Sequence, residues 1–299
     1  MSNSLLTNDI NRLERANFGD LELLASSNFV FPGGFEMRNF VRPLLLIALL
    51  SILSFPAFAI TWLPEDFNCP LDGQKNTFLV VGSYGSYIYS YPSKYQWLFF
   101  PRTDSPTYYT CKKCYLTTYM WDFDKLPKDK FDEIRRALNG VSVSKNFKEY
   151  TELPVTERLE IMEKVYSVLG KDDDWWETFY RTKGYHYGKE GKPTAAAEAR
   201  KRSLQMIEAE LERKHSDSPR KLSLYISASM KHFLGRDNDA IADLETALKT
   251  PYSEKGATEE DIKNAEAGLN ERITDYIERI RSKDQKPRLF DASGTRGDH

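Results

Sequence analysis

Residues 69–73 read Cys-Pro-Leu-Asp-Gly, and residues 111–114 read Cys-Lys-Lys-Cys. These two stretches contain all three cysteines of the 299-residue chain, and the residues between them are rich in tyrosine, phenylalanine, valine and isoleucine. Two cysteine-bearing turns at the ends of a small β-rich unit are typical of a zinc ribbon, in which a metal replaces a core too small to form alone. The two stretches therefore predict a β-rich cysteine region over residues 60–125.

Several runs in this region are rich in strand-forming side chains. Residues 77–81 and 87–91 flank a turn of glycine and serine, which predicts a β-hairpin. Residues 96–100 are a third candidate strand, which Pro101 ends. Residues 108–121 can supply another strand.

Four residues of the two turns have side chains that bind zinc, and they predict a metal site formed by Cys69, Asp72, Cys111 and Cys114. Carboxylate oxygen is a legitimate zinc ligand, although structural sites more often use thiolate and imidazole alone. In a second interpretation, Cys111 and Cys114 form a disulfide in an oxidising compartment, and Cys69 is free or pairs elsewhere. In a third, the thiols are reduced and only packed. A closed four-ligand site would be structural because no position is left for a substrate water.

A Cys-x-x-Cys motif also occurs in thiol–disulfide enzymes, where its first cysteine lies at a helix N-terminus that lowers the thiol pKa. Here residues 115–121 follow the motif and favour a strand, and no βαβ pattern surrounds them. A thiol–disulfide or metal-handling protein that uses Cys111 and Cys114 is therefore the second functional hypothesis.

The chain resembles a bacterial family of uncharacterised proteins that have a zinc-ribbon-like N-terminal region followed by TPR-like helices. Its members open with a Cys-Pro-x-Cys-Gly turn and carry a later Cys-x-x-Cys turn. Residues 69–73 match the first turn except that Asp72 stands in the place of the second cysteine, and residues 111–114 match the second turn. The resemblance covers roughly residues 65–285. It implies an α+β, mainly α fold with a zinc-ribbon-like region before a TPR-like helical array.

Residues 126–283 favour helices, and two of their segments resemble the helix pairs of the 34-residue TPR repeat. In the clearer one, residues 224–251, Gly235 ends the first helix, and two small residues flank a leucine in the second. Gly191 and Gly235 are 44 residues apart, so the repeats are degenerate. The residues at TPR spacing in the other segment are Tyr180, Gly184, Tyr187, Gly191 and Ala196.

Three more helices are predicted from apolar periodicity. Residues 128–138 form a short amphipathic segment, and residues 156–170 favour a helix capped by Thr156. Residues 258–281 begin with a capping-box-like pair and have one apolar and one charged face, as expected of a terminal helix. Residues 284–299 are predicted to be a disordered tail.

The segment before the cysteine region has the features of a delivery signal. Residues 37–59 contain a short basic region, an apolar core and an Ala-x-Ala ending, which predicts a secretory signal peptide cleaved after Ala59. The alternative is an uncleaved membrane anchor over residues 44–63, which is near the ~20 residues that a span needs. Residues 1–36 are polar and patternless, so we interpret them as an over-extended gene start before Met37 or as a disordered extension. An exported protein, periplasmic or secreted, is expected.

Composition and motifs restrict the function. The chain has 42 basic and 44 acidic residues and a net charge of −2, which does not favour binding to nucleic acid. No Ser-His-Asp set, phosphate-binding loop or glycosidase-like carboxylate pair stands out, so a non-enzyme is expected. Residues 172–174 are acidic and favour a helix N-terminus over a metal site. Because TPR-like arrays bind peptides or proteins on one face, the sequence predicts an interaction or assembly protein.

Overall fold

The structure is a computed structural model. It describes residues 61–83, 91–213 and 219–286, and the backbone of two short strands beyond them. Within these ranges the fold is mainly α-helical with small antiparallel strand pairs, which confirms the α+β, mainly α class. The helices are α1 (Phe131–Leu138), α2 (Val155–Tyr166), α3 (Asp173–Lys189), α4 (Pro193–Glu212), α5 (Arg220–Phe233), α6 (Asp237–Lys249) and α7 (Glu259–Ser282). The strands are β1 (Thr61–Asn68), β2 (Lys75–Ser83), β3 (Tyr108–Thr110), β4 (Thr117–Tyr119), β5 (Leu289–Phe290) and β6 (Arg296–Gly297).

The predicted delivery segments lie outside the described residues. This applies to the extension 1–36 and to the signal peptide 37–59. Of the alternative anchor 44–63, only residues 61–63 are described, and they belong to β1. None of the helices in the described ranges has both the length and the apolar character to cross a membrane.

The strand pairing differs in part from the sequence prediction. β2 pairs with β1 in an antiparallel hairpin. Asn68 pairs with Lys75 next to the turn, and Thr61 pairs with Ser83 at the open end. Most of the predicted partner, residues 87–91, lies outside the described residues. The predicted strand at 96–100 is wrong, because a 3₁₀ turn at Lys94–Gln96 directs this segment onto the helices. The segment 108–121 does supply strands, since β3 and β4 pair antiparallel.

An aromatic core joins the cysteine region to the first two helices. The ring of Phe78 is buried and stacks on Tyr109, with centroids 4.2 Å apart. Phe123 and Tyr150 pack edge-on against Phe78. The same cluster includes Ile134 of α1 and the cysteines Cys69 and Cys111, together with Ile161 and Val165 of α2. The cysteine region therefore shares a hydrophobic core with α1 and α2, and this core is larger than the sequence led us to expect.

The later helices form two helix–turn–helix pairs followed by one long helix. α3 packs along α4, and α5 packs along α6. Gly191 and Gly235 lie at the turns with φ of +71° and +78°, a conformation that suits glycine just after a helix. α4 is 20 residues long, which accounts for the wide spacing of the two glycines.

Helix starts agree with the sequence prediction in two places and differ in a third. Asp172 caps α3 by accepting the Trp175 N–H at 2.9 Å, and Thr258 caps α7 in a capping box. Thr156 is not a cap, because α2 begins one residue earlier, after Pro154. Instead, the Thr156 backbone N–H donates to a Glu190 carboxylate oxygen at 3.1 Å, which ties α2 to the end of α3.

Residues 91–99, here called the cover segment, lie against α5 and α7. Tyr95 is buried and packs on Tyr276 of α7, with ring centroids 4.7 Å apart. Trp97 packs edge-on against Tyr225 of α5 at 5.7 Å. Tyr95 is part of the core of these helices, so the cover segment is a component of the helical array and not a separate strand.

The cover segment is also held by α3. Arg181 donates to the backbone carbonyls of Gln96 and Trp97 at 3.0 and 2.6 Å. The same guanidinium forms a buried ion pair with Glu177 at 2.9 Å. Arg200 of α4 donates to the Gln96 side-chain oxygen at 3.2 Å. One face of the helical array is thus covered by the chain's own residues.

Candidate metal centre

The two cysteine-bearing turns meet at one point. The turn between β1 and β2 carries Cys69 and Asp72, and the turn between β3 and β4 carries Cys111 and Cys114. One ligand atom from each of these residues lies within 4.8 Å of all the others. The structure therefore brings together all four residues that the sequence proposed as ligands.

The two turns have the same backbone hydrogen bonds. In the first, the Cys69 N–H donates to the Gln74 carbonyl and the Gly73 N–H donates to the Cys69 carbonyl, both at 2.9 Å. The fifth residue of each turn has positive φ, +72° for Gly73 and +59° for Tyr115. The matching bonds of the second turn are Cys111 N–H to Leu116 O at 2.9 Å and Tyr115 N–H to Cys111 O at 3.1 Å.

The distances in two of the donor pairs are close to those around a tetrahedral ion. Cys69 Sγ lies 3.5 Å from Cys114 Sγ, and Cys111 Sγ lies 3.9 Å from each carboxylate oxygen of Asp72. Zinc bonds of about 2.3 Å to sulfur and 2.0–2.2 Å to oxygen place neighbouring ligands about 3.5–3.8 Å apart. The three cysteines are free thiols, and their chemistry fits zinc or another thiophilic cation.

A second layer of polar groups fixes the buried sulfur of Cys111. Asn76 Nδ2 lies 3.6 Å from this sulfur, and Asn76 Oδ1 accepts the Lys112 N–H at 3.0 Å. The Lys113 N–H points to the same sulfur at 3.5 Å. Sequence reasoning missed Asn76, although its place at the start of β2, two residues before the buried Phe78, puts it on the inner face.

The crowding of the thiols changes their acidity. Hydrogen bonds from the thiols of Cys114 and Cys69 lower the pKa of Cys111 from 9.0 to about 2. The hydrogen bond to Cys111 raises the pKa of Cys69 to about 12, and bonds to both neighbours raise the pKa of Cys114. The crowding therefore favours a single thiolate within the group of three. A cation is needed for all three to ligate as thiolates.

Burial distinguishes the ligands. Cys111 is 0% exposed and Cys69 is 2% exposed, whereas Cys114 is half-buried. Cys114 lines a pocket of about 280 Å³, together with Lys113 and Arg135. Four protein donors complete a tetrahedral shell, so this arrangement suits a structural metal and leaves no position for a substrate.

His186 of α3 is a packing residue. It is 2% exposed, and its Nε2 lies 2.8 Å from the Arg102 carbonyl and 3.0 Å from the Tyr108 hydroxyl. Desolvation lowers the pKa of the imidazole from 6.5 to about 4. His186 therefore remains neutral inside the fold at neutral pH.

A second feature is a cleft of about 470 Å³ between α2, α3 and α4, here called the α2–α4 cleft. Glu163 accepts hydrogen bonds from the Tyr180 hydroxyl at 3.0 Å and from Arg202 at 3.4 Å. The same carboxylate pairs with Lys183, whose side chain is only 7% exposed and also lies 3.1 Å from Glu160. Hydrogen bonds and ion pairs therefore join Glu163, Lys183 and Arg202 in this cleft.

Comparisons with known proteins give no relative from which a function could be inferred. No protein-family model, curated protein or solved structure matches the chain.

Proposed function

We propose that this chain is an exported, non-catalytic interaction or assembly protein, in which a TPR-like helical array carries the partner-binding surface and a zinc-ribbon-like centre fixes the β-rich region. The observation that carries the interaction role is the α2–α4 cleft, an open groove of preorganised charges between three helices. The partner is a protein or peptide segment.

The chemistry of the cleft defines the kind of segment that fits it. Its charged lining consists of three acidic and three basic residues, so a partner with charges of both signs is favoured over nucleic acid. The Arg202 side chain is half-exposed and lies over the Tyr180 ring at 5.3 Å, which places a flat cation at the cleft surface. The face contacted by the cover segment is less suited to a partner, because Tyr95 and Arg181 already fill it. The charged lining residues are Glu160, Glu163, Glu198, Lys164, Lys183 and Arg202.

The zinc-ribbon-like centre supports this role by joining two separate turns. Zinc bound by Cys69, Asp72, Cys111 and Cys114 would link the β1–β2 hairpin to the β3–β4 hairpin across about 40 residues of chain. Closed sites of this kind contribute to folding and not to turnover. Native mass spectrometry of the full chain tests it, with one zinc per chain as the expected result.

The interaction role is tested by cross-linking in extract of the source cells, with the full chain as bait. Arg202→Ala removes a cation of the cleft, and Arg213→Ala is the matched control because it removes an equally exposed arginine that pairs with Asp173 outside the cleft. We expect proteins enriched by the wild type and by Arg213→Ala to be lost with Arg202→Ala. Equal enrichment by all three baits would refute the proposed surface.

The thiol–disulfide alternative that uses Cys111 and Cys114 is less favoured by the geometry. An attacking thiol must be reached by its substrate, and Cys111 is fully enclosed. The motif is followed by β4 and not by a helix, so no helix N-terminus lies at Cys111. Rapid exchange with a glutathione buffer, lost in Cys111→Ser, would favour this alternative.

A further inference from the structure

The three thiols of the metal centre differ in their access to solvent. Only Cys114 is half-exposed, and it lines the pocket of about 280 Å³ beside Lys113 and Arg135. Cys69 and Cys111 are 2% and 0% exposed. Of the three cysteines, Cys114 is therefore the one that a small reagent reaches first from the pocket.

The sulfur of Cys114 contacts the sulfur of Cys69, which belongs to the other turn. The two sulfurs are 3.5 Å apart, and a disulfide requires about 2.0 Å. The Cys111 sulfur also lies beside that of Cys114, but it is already held by Asn76 Nδ2 and the Lys113 N–H at 3.6 and 3.5 Å. A disulfide between Cys69 and Cys114 therefore needs only a small approach of two sulfurs that already touch.

We infer that Cys69 and Cys114 are a redox-sensitive pair, in which a peroxide oxidises Cys114, Cys69 closes a disulfide, and the metal centre is taken apart. This is a modification site distinct from the Cys-x-x-Cys pair that the sequence suggests. The disulfide step depends only on the thiol geometry. The loss of metal, in addition, rests on the zinc site of the proposed function.

The reaction balances with hydrogen peroxide as the oxidant. Cys114 first loses its thiol proton to the buffer, and the thiolate then attacks one peroxide oxygen, so that the S–O bond forms, the O–O bond breaks, and hydroxide leaves. Cys69 loses its proton in the same way and attacks the Cys114 sulfur, so that the S–S bond forms, the S–O bond breaks, and a second hydroxide leaves. Each hydroxide takes a proton from the buffer, so two electrons from the thiols reduce one peroxide to two waters. Asp72 and Cys111 then remain as the only two ligands of the site.

The test uses the full chain loaded with zinc and exposed to hydrogen peroxide in the presence of a colorimetric zinc chelator. Free thiols are alkylated at intervals, and peptides are mapped by mass spectrometry with and without reduction. We expect a Cys69–Cys114 disulfide, Cys111 recovered as an alkylated thiol, and one zinc released per disulfide. A Cys111–Cys114 disulfide, or equal oxidation of all three cysteines, would overturn the inference.

Two variants separate the steps. In Cys114→Ser, we expect oxidation of the remaining thiols to slow by roughly tenfold or more, because both are buried. In Cys69→Ser, we expect Cys114 to progress to sulfinic acid, since no thiol is in place to resolve it. Unchanged oxidation of the other thiols in Cys114→Ser would refute the entry point. If the variants do not fold, the wild-type peptide map decides the question.

A metal-free sample distinguishes this inference from the proposed function. If the chain binds no zinc but still forms the Cys69–Cys114 disulfide, the zinc site fails and the redox pair is supported. If it binds zinc and forms another pairing, the zinc site is supported and the redox pair is refuted.

Discussion

Asp72 and Cys114 occupy equivalent positions in two turns that have the same hydrogen-bond pattern. Each is the fourth residue of its turn, followed by a residue with positive φ, Gly73 or Tyr115. In both turns the first cysteine donates its N–H to the carbonyl five residues later and accepts an N–H from the residue four later. Asp72 therefore has the backbone setting of a cysteine ligand but a carboxylate side chain.

This equivalence makes Asp72 the most informative position for testing the metal centre. Asp72→Cys places a fourth sulfur in a turn already shaped for it, and we expect zinc to bind at least about tenfold more tightly. Asp72→Ala removes the ligand and should weaken binding by a similar or larger factor. The measurement is competition for zinc with a chromophoric chelator at pH 7.

Asp66→Ala is the control for Asp72, because Asp66 is an exposed carboxylate on β1 that pairs with Lys75. It should keep the wild-type zinc affinity. If Asp72→Ala also keeps that affinity, Asp72 is not a ligand.

Among the residues that are not ligands, we expect Asn76 to have the largest effect on zinc affinity. Its amide contacts Cys111 Sγ and the Lys112 N–H, so it positions both the sulfur and the backbone of the second turn. Removing such outer partners typically lowers metal affinity 10–100-fold, so we expect a loss of roughly that size in Asn76→Ala. The same chelator competition measures it.

The neighbouring Thr77→Ala is the matched control for Asn76→Ala. Thr77 is exposed on the opposite face of β2 and bonds to Asp66. Its zinc affinity should stay within a factor of about two of wild type. Equal losses of zinc affinity in both variants would mean that Asn76→Ala perturbs strand β2 in general, and that the contact with the Cys111 sulfur is not the cause.

The features that sequence predicted well are those fixed by local chemistry. Gly191 and Gly235 end helices because a residue at positive φ favours glycine, and this requirement is visible in one sequence. Asp172 and Thr258 cap helices through bonds to residues three positions away. The grouping of Cys69, Asp72, Cys111 and Cys114 was predicted for a related reason, since the spacing within each short turn is a local feature.

The features that sequence missed depend on distant contacts. Residues 96–100 have a strand-like composition, but Gln96 is fully buried and its carbonyl is bonded by Arg181, 85 positions along the chain. β1 was not predicted because it contains Pro64 and is exposed along most of its length, so it has no clear alternation. The role of Asn76 was missed because its place on the inner face of β2 does not identify Cys111 as its neighbour.

Arg181 should be a major stabilising residue of the helical array. It is 4% exposed, pairs with Glu177, and holds two carbonyls of the cover segment. Arg181→Ala leaves Glu177 as a buried charge without its arginine and removes the donors for Gln96 and Trp97. Breaking a buried pair in this way typically costs about 3–5 kcal/mol of unfolding free energy. Urea unfolding followed by tryptophan fluorescence measures the loss.

Arg213→Ala provides the comparison for Arg181→Ala. Its ion pair with Asp173 is exposed on both sides, and such pairs contribute about 0–1 kcal/mol. A loss for Arg181→Ala no larger than that for Arg213→Ala would show that the cover segment is held by its aromatic contacts alone.

His186 should make the stability of the fold depend on pH in mildly acidic solution. Burial lowers the pKa of its imidazole to about 4 in the folded state, whereas the unfolded chain has the ordinary value of 6.5. Above pH 6.5 both states are neutral, and the contribution of the buried imidazole is complete. As the pH falls from 6.5 to 4, the unfolded state binds a proton that the folded state does not. The free energy of unfolding should therefore fall by up to about 1.4 kcal/mol per pH unit, and by about 3 kcal/mol in total.

Two variants separate the effect of His186 protonation from the titration of carboxylates. The carboxylates titrate in the wild type and in both variants. His186→Gln removes the titrating group, so its stability should decline less than that of wild type between pH 7 and 4.5. Tyr108→Phe removes the hydroxyl 3.0 Å from the imidazole but keeps the histidine, so it should lower stability and retain the pH slope. Urea unfolding at half-unit pH steps gives both curves. Parallel curves for wild type and His186→Gln would mean that the imidazole is protonated at its ordinary pKa, and hence that it is not enclosed as the Arg102 carbonyl contact indicates.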